Sequence, residues 1–147
     1  QQQADFFTEQ SGISFSDTIG VHIRTERGRA KARYFDESDS DKCVETIIKY
    51  LGAFDLKAVF LTGGKLYGVM EEVKSKLKHY GVNVISDDVS AYSRDSIEWL
   101  RDMEILSRCQ LVMGHMHSTF ATASARIKAK KFIDLKIGAE ILPPYTH

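Results

Sequence analysis

This sequence has few cysteines and prolines and no net charge, and each of these facts limits what the protein can be. Two cysteines among 147 residues, Cys43 and Cys109, make neither a zinc motif nor a disulfide framework, so we expect buried free thiols. Lys plus Arg and Asp plus Glu number 20 each, so no overall field favours nucleic acid or an anionic membrane. No apolar run approaches the roughly 18 residues of a membrane span, and the composition is typical of one soluble globular domain. The two prolines, Pro143 and Pro144, block any further helix or central strand.

The hydrophobic pattern predicts an alternation of strands and helices. Short β-branched runs predict strands at 19–23, 57–64, 82–86, 110–114 and 130–135. Amphipathic spacing predicts helices at 41–51, 65–81, 96–109 and 118–129, with Asp95 and Glu98 as a capping box before the third. Such short βαβ units imply an α/β fold, a doubly wound, mostly parallel, five-stranded Rossmann-like sheet with helices on both faces. The expected strand order is 3-2-1-4-5.

Polar residues follow two strands that this order makes neighbours. Strand 1 ends in His22 and Arg24, and strand 4 continues into His115, His117 and the helix start at Ser118-Thr119. Ligands of doubly wound folds bind at such a switch point, outside the carboxyl ends of the strands. An arginine and a helix N-terminus both favour a phosphate there. A strand-end salt bridge for Arg24 and simple N-capping by Ser118 and Thr119 are the structural alternatives.

These residues resemble the nucleotide-binding half of the fucosyltransferase superfamily, which includes α1,2-, α1,6- and protein O-fucosyltransferases with two Rossmann-like domains (GT-B). The resemblance lies in His22-Ile23-Arg24 after an apolar strand and in DMEILSRCQLVMGHMHSTF, from Asp102 to Phe120. It covers roughly residues 19–136. It implies a nucleotide-sugar-binding Rossmann-like domain over residues 19–147, with residues 1–18 as a linker or truncated edge.

The resemblance implies a role for each matching residue. His22 and Asp102 would contact the guanine or the ribose of a GDP-fucose donor. Arg24 would be the catalytic residue, holding the pyrophosphate and stabilising the departing nucleoside diphosphate. The β-phosphate would be bound by the residues that open the last helix, Ser118, Thr119 and Phe120. Such transferases invert the sugar carbon and need neither a metal nor another cofactor.

The same resemblance does not identify the acceptor or the cellular compartment. The acceptor would be a glycan or a protein, held by an acceptor domain that 147 residues do not contain. A non-catalytic nucleotide- or phosphate-binding module is the alternative, and a small phosphohydrolase is a second one. The compartment would be the secretory-pathway lumen for a eukaryotic fragment and the cytoplasm for a bacterial one.

Three local patterns carry competing interpretations. Asp39-Ser40-Asp41 mimics a metal-binding Asp-x-Asp, but Asp41 is better explained as a helix N-cap. His115 and His117 have no evident third zinc ligand, so we expect them to line the crevice. The charged segment 25–40, with its basic cluster, is expected to be a solvated loop. It also departs from the family, because Thr25-Glu26 follows the His-x-Arg where many members have a Gly-Asp pair.

Overall fold

The computed structural model of the chain describes residues 2–86 and 97–143. Their strands are β1 (Thr18–Ile23), β2 (Ala58–Gly63), β3 (Asn83–Ser86), β4 (Leu111–Gly114), β5 (Lys131–Asp134) and β6 (Ala139–Ile141). Their α-helices are α1 (Gln2–Ser11), α2 (Ser40–Ala53), α3 (Val69–His79), α4 (Ile97–Arg108) and α5 (Thr119–Ile127). None of the described helices is long and apolar enough to cross a membrane.

The strands form one sheet in the order β3-β2-β1-β4-β5-β6. The first five run parallel, which confirms the predicted order, and β6 pairs antiparallel with β5. The predicted total of five strands was therefore one short. At three residues β6 is too short for a period-two pattern to show in the sequence, and it forms by returning from β5 through a turn at Gly138.

Helices cover both faces of the sheet, as predicted for a doubly wound fold. On one face α2 and α3 pack against Ile19, Val21 and Ile23 of β1 and the matching positions of β2 and β4. On the other face α4 packs near Phe60, and α5 packs over Val112 and Phe132. Because side chains alternate along a strand, His22 lies between two residues of the first face and points to the α4–α5 side.

Residues 1–18, expected to be a linker or a truncated edge, include a helix and the first residue of β1. Ala4 of α1 is fully buried with residues of α4, and the Asp5 carboxylate lies 2.9 Å from an Arg108 nitrogen. The α1 segment therefore packs onto the sheet's α4 side. Its polar, glutamine-rich sequence gives no clear amphipathic pattern from which the helix could be predicted.

Helix ends and cysteines were predicted with mixed success. Helix α2 begins at Ser40 with Asp39 at the N-cap position, so the N-cap predicted at Asp41 was wrong by two residues. Cys43 and Cys109 are buried free thiols, as expected, and burial raises the pKa of each to about 12. The capping box predicted from Asp95 and Glu98 lies outside the described residues.

Candidate functional site

The carboxyl ends of β1 and β4 lie side by side, with Val21 paired to Met113 in the register. The helices that follow leave toward opposite faces, α2 after β1 and α5 after β4. The predicted switch point is therefore present. Gly114 permits this junction, because a Cβ there would lie 2.8 Å from the Cβ of Ala121 and 3.1 Å from the carbonyl oxygen of His22. Any side chain would separate β1, β4 and α5 where they meet.

Arg24 lies immediately after β1, at the mouth of this junction. Its guanidinium carbon is 4.0 Å from the centroid of the Tyr34 ring, and its Nε lies 3.3 Å from Oε2 of Glu26. The Arg24 side chain is one-third exposed, so its charge faces solvent at the edge of the sheet. A partly exposed ion pair of this kind contributes little stability, so Glu26 is a weak competitor for an anionic ligand.

His22 is buried beside the start of α5. Its ring centroid lies 4.6 Å from that of Phe120, and its Nδ1 has no hydrogen-bond partner among the described residues. Burial, helped by the nearby Arg24 charge, lowers the pKa of His22 to about 3. The imidazole is therefore neutral at physiological pH, so it can donate one hydrogen bond and accept another but adds no positive charge.

The start of α5 provides the second half of the site. Ser118 is fully buried and caps the helix, its hydroxyl accepting from the N–H of Ala121 at 3.4 Å. Thr119, the first helical residue, is exposed, and Phe120 lies between His22 and Trp99. The first N–H groups of a helix lack intrahelical acceptors and face an anion favourably. The N-capping that the sequence suggested for Ser118 is thus present, and it takes up the N–H of Ala121, so the helix N–H groups considered for an anion are those of Thr119 and Phe120.

Asp102 lies deeper than the other predicted residues. Its side chain is fully buried on α4, and it accepts hydrogen bonds from the Thr62 hydroxyl at 2.5 Å and from Arg101 Nε at 3.2 Å. Thr62 pairs in register with His22, so Asp102 sits over the same face of the sheet. Contact between Asp102 and a base stays a prediction, and such a contact would share oxygens that already accept protein hydrogen bonds.

The β4–α5 loop is held from below by Asp134. This buried carboxylate accepts the N–H of Met116 on one oxygen and those of Lys136 and Ile137 on the other, all within 2.9 Å. Above it, Nδ1 of His115 accepts the N–H of His117. The loop that leads into α5 is thus anchored at several points. His115 and His117 belong to this loop, and burial lowers the pKa of His115; that they line the crevice stays a prediction.

The segment after β1 is not the wholly solvated loop that its charge predicted. Tyr34 and Phe35 are buried within it, and both rings meet His115 edge-on. Three of its four basic residues, Arg27, Arg29 and Arg33, are exposed as expected, whereas Lys31 is half-buried and pairs with Glu37 at 3.0 Å. Tyr34 and Asp134 are the site residues that sequence reasoning missed. An aromatic pair inside a charged segment was the signal for Tyr34, and Asp134 at a strand's carboxyl end was the signal for the loop anchor.

Other candidate sites lie elsewhere or are absent. Across the described residues no group of three or more His, Cys, Asp or Glu side chains is placed to hold a metal. A cavity of roughly 500 Å³ opens at the opposite edge of the sheet, lined by residues that include Ser16, Gln110 and Lys130. It lies at the amino ends of the strands, where doubly wound folds do not place their ligands.

The fold is a Rossmann-like α/β domain, and the predicted polar residues Arg24, His22 and Ser118 lie at its switch point. Solved structures of POFUT1, a protein O-fucosyltransferase, are among those that the chain resembles, and it shares their fold. One, a complex with GDP, has a TM-score of 0.65 and 15% identity over 90% of this chain and 45% of that one. Another GDP complex gives 0.64 and 16%, over 88% of this chain and 43% of that one. The complex with GDP-fucose gives 0.55 and 15%, over 77% and 37%.

At this identity the likeness concerns the fold, and the chain spans less than half the length of the chains it matches. No protein-family model matches the sequence. No curated protein matches it either.

Proposed function

We propose that this chain is the donor-binding domain of an inverting, metal-independent fucosyltransferase-like enzyme that uses GDP-fucose. The observation that carries the proposal is the meeting of Arg24, the His22–Phe120 pair and the start of α5 at one switch point. A fixed cation and a helix N-terminus on two sides of a crevice suit a diphosphate. POFUT1, which has a similar fold, is solved in complexes with GDP and with GDP-fucose, and this supports the choice of donor.

In this proposal the chemistry is a displacement at the anomeric carbon of the sugar. The acceptor oxygen forms a bond to that carbon while the bond to the β-phosphate oxygen breaks, and the electron pair leaves with GDP. The acceptor's proton passes to a base that we assign to no residue of this chain. Arg24 and the N–H groups of α5 stabilise the charge that develops on the diphosphate, a contribution of about 3–4 kcal/mol per donor in comparable sites.

The remaining residues bind and orient the nucleotide. The neutral imidazole of His22 offers a hydrogen bond to the base or ribose, and Phe120 supports that ring. Ser118 and Thr119 contribute hydroxyl and backbone groups to the β-phosphate. Asp102 matches the two parallel N–H donors of guanine, which share its oxygens with Thr62 and Arg101 in this proposal. The acceptor, a glycan or a protein, would be held by a second domain.

The first test is calorimetric titration of GDP, UDP and ADP into the chain. We expect a preference for GDP and a loss of about 10- to 100-fold in GDP affinity in Arg24→Ala, since hydrogen bonds to charged groups contribute about 1.5–3 kcal/mol. Arg126→Ala, which removes an exposed arginine near the other end of α5, is the matched control and should bind as wild type does. If none of the three nucleotides bound, the nucleotide proposal would be removed.

The role of Asp102 needs two variants, because its carboxylate also holds the fold together. Asp102→Asn keeps the side-chain size and should abolish the preference for GDP over ADP. Thr62→Val removes a partner of the carboxylate without removing the carboxylate, so it should lower stability while keeping the preference. An unchanged preference in Asp102→Asn would show that Asp102 has a structural role alone.

A non-catalytic nucleotide-binding module is the second candidate. GDP binding without transfer or donor hydrolysis, in the presence of candidate acceptor-domain chains, would select it. Transfer that disappears in Arg24→Ala would select the enzyme.

A further inference from the structure

The guanidinium of Arg24 is oriented by two groups of its own chain. Tyr34 covers it, with 4.0 Å between the guanidinium carbon and the ring centroid, a distance at which a cation is attracted to an aromatic face. Glu26 occupies its Nε edge at 3.3 Å. Among the described residues Nη1 and Nη2 have no hydrogen-bond partner. The two terminal nitrogens of the guanidinium therefore remain free, and an arginine can bind two phosphate oxygens at once through them.

Tyr34 is itself fixed in place. It is 6% exposed, and the His115 ring meets it edge-on with centroids 4.8 Å apart. The next residue, Phe35, is fully buried and donates its N–H to the carbonyl oxygen of Arg24 at 3.0 Å. Tyr34 is thus tied both to the β4–α5 loop and to the backbone of the arginine that it covers.

The Glu26 side of the arginine is also anchored. The Tyr67 hydroxyl donates to the carbonyl oxygen of Glu26 at 2.8 Å, although Tyr67 adopts a left-handed backbone conformation at φ 65°. A bulky residue in that region is strained, and surrounding contacts must hold it there. The loop after β2 therefore braces the segment that carries Glu26.

We infer that Tyr34 is a positioning residue, which holds the Arg24 guanidinium so that Nη1 and Nη2 face the diphosphate before it binds. The inference rests on the proposed function for its ligand, but the arrangement itself exists without one. A free arginine side chain loses rotamer entropy when a ligand fixes it, so ordering it in advance lowers the cost of binding. Tyr34 acts through Arg24 and touches no reacting atom.

The test is a double-mutant cycle on GDP affinity. Tyr34→Phe keeps the aromatic face and should bind GDP within about twofold of wild type, whereas Tyr34→Leu should bind about 3- to 30-fold more weakly, the range of a cation–π contact. In an Arg24→Ala background Tyr34→Leu should have no further effect. An equal loss in both backgrounds, or no loss in either, would overturn the inference.

Two controls separate this role from a general one. Tyr50→Leu removes a tyrosine of α2 that lies below a different cation, Lys49 at 5.3 Å, and should leave GDP affinity unchanged. Arg33 also lies near the Tyr34 ring, at 5.6 Å, so Arg33→Gln checks that the effect does not pass through that exposed arginine. A loss in Arg33→Gln equal to that in Tyr34→Leu would transfer the role to Arg33 and overturn the inference as stated.

A measurement on the free protein distinguishes failure of this inference from failure of the proposed function. Nitrogen-15 relaxation at Arg24 Nε should show an ordered side chain in wild type and Tyr34→Phe and a mobile one in Tyr34→Leu. Equal mobility in all three would overturn the inference, whether or not any nucleotide binds. Unfolding curves check that each variant folds. If Tyr34→Leu does not fold, Tyr34→His, with its smaller ring, replaces it and should leave the Arg24 side chain more mobile than in wild type. Mobility in Tyr34→His equal to wild type would then overturn it.

Discussion

The imidazole of His22 packs against the phenyl ring of Phe120, with ring centroids 4.6 Å apart. One residue belongs to the first strand and the other to the last α-helix. They meet because β1 and β4 are neighbours in the sheet and because Gly114 lets α5 start close to both strands. The contact brings together the two segments, after β1 and after β4, in which the sequence predicts site residues.

Phe120→Ala should weaken both this wall and the fold. Phe120 is half-buried, so we expect the free energy of unfolding to fall by about 1–3 kcal/mol, less than the 3–5 kcal/mol of a fully buried phenylalanine. GDP affinity should fall several-fold, because His22 and Trp99 lose a common neighbour. Urea denaturation and GDP calorimetry measure the two effects. Phe54→Ala, at a 44% exposed phenylalanine after α2, should change neither by a comparable amount.

Stability should depend on pH through His22. Its pKa is about 3 in the folded protein and 6.5 ordinarily, so between these values the unfolded chain binds a proton that the folded chain does not. The free energy of unfolding should therefore be unaffected by His22 above pH 6.5 and should decrease as the pH falls from 6.5 toward 3. The slope approaches about 1.4 kcal/mol per pH unit for one such group, and His115, with a pKa also lowered, adds in the same direction.

Urea denaturation across this pH range measures that slope. His22→Asn should flatten it, since the variant has no group to protonate at this position. His79→Asn, at an exposed histidine on α3, is the control and should keep the wild-type slope. The same slope in His22→Asn would mean that His22 titrates alike in the folded and unfolded chain.

Asp134→Asn should loosen the loop that leads into α5. The carboxylate accepts backbone N–H groups on both oxygens, and an amide replaces one acceptor with a donor that faces another N–H. We expect a loss of about 2–3 kcal/mol in the free energy of unfolding and faster hydrogen exchange at the Met116 amide. Asp41→Asn, at an 86% exposed carboxylate, should cost less than about 1 kcal/mol. Similar losses in the two variants would argue against the anchor.

Any side chain at position 64 should destabilise the fold, because Thr25 occupies the space that its Cβ would need. A methyl group there would overlap the Thr25 hydroxyl, which is buried and has no hydrogen-bond partner among the described residues. Gly64→Ala should therefore cost about 1–3 kcal/mol, the usual range for overpacking. The double variant Gly64→Ala/Thr25→Ala should recover part of that loss, since the clashing oxygen is gone. If urea denaturation showed no recovery in the double variant, the strain would lie in the backbone instead.

A substitution at a glycine within a helix serves as the matched control for Gly64. Nothing lies within 4 Å of a Cβ at Gly52 in α2, so Gly52→Ala should be neutral or stabilising by up to about 1 kcal/mol. A similar loss at both glycines would mean that the close approach to Thr25 is not what requires glycine at position 64.

The local elements of the fold could be predicted because their causes are local. The apolar positions Val44, Ile47 and Leu51 recur at helical spacing, and they form the buried stripe of α2. Short β-branched runs place all five parallel strands. Right-handed crossovers and short connections then restrict the strand order enough that 3-2-1-4-5 was correct.

The composition of the crevice was decided by tertiary structure. Tyr34 lies in a segment whose charge predicts solvent exposure, yet it is buried because it packs against His115 from another strand's loop and under Arg24. Asp102 has the sequence pattern of a helix-surface aspartate, yet it is buried and accepts a hydrogen bond from Thr62, a partner forty residues away in the chain. Local periodicity states which face a residue occupies on its own element. It does not state which distant side chain that face will meet, and this pairing determines what the crevice of this protein can bind.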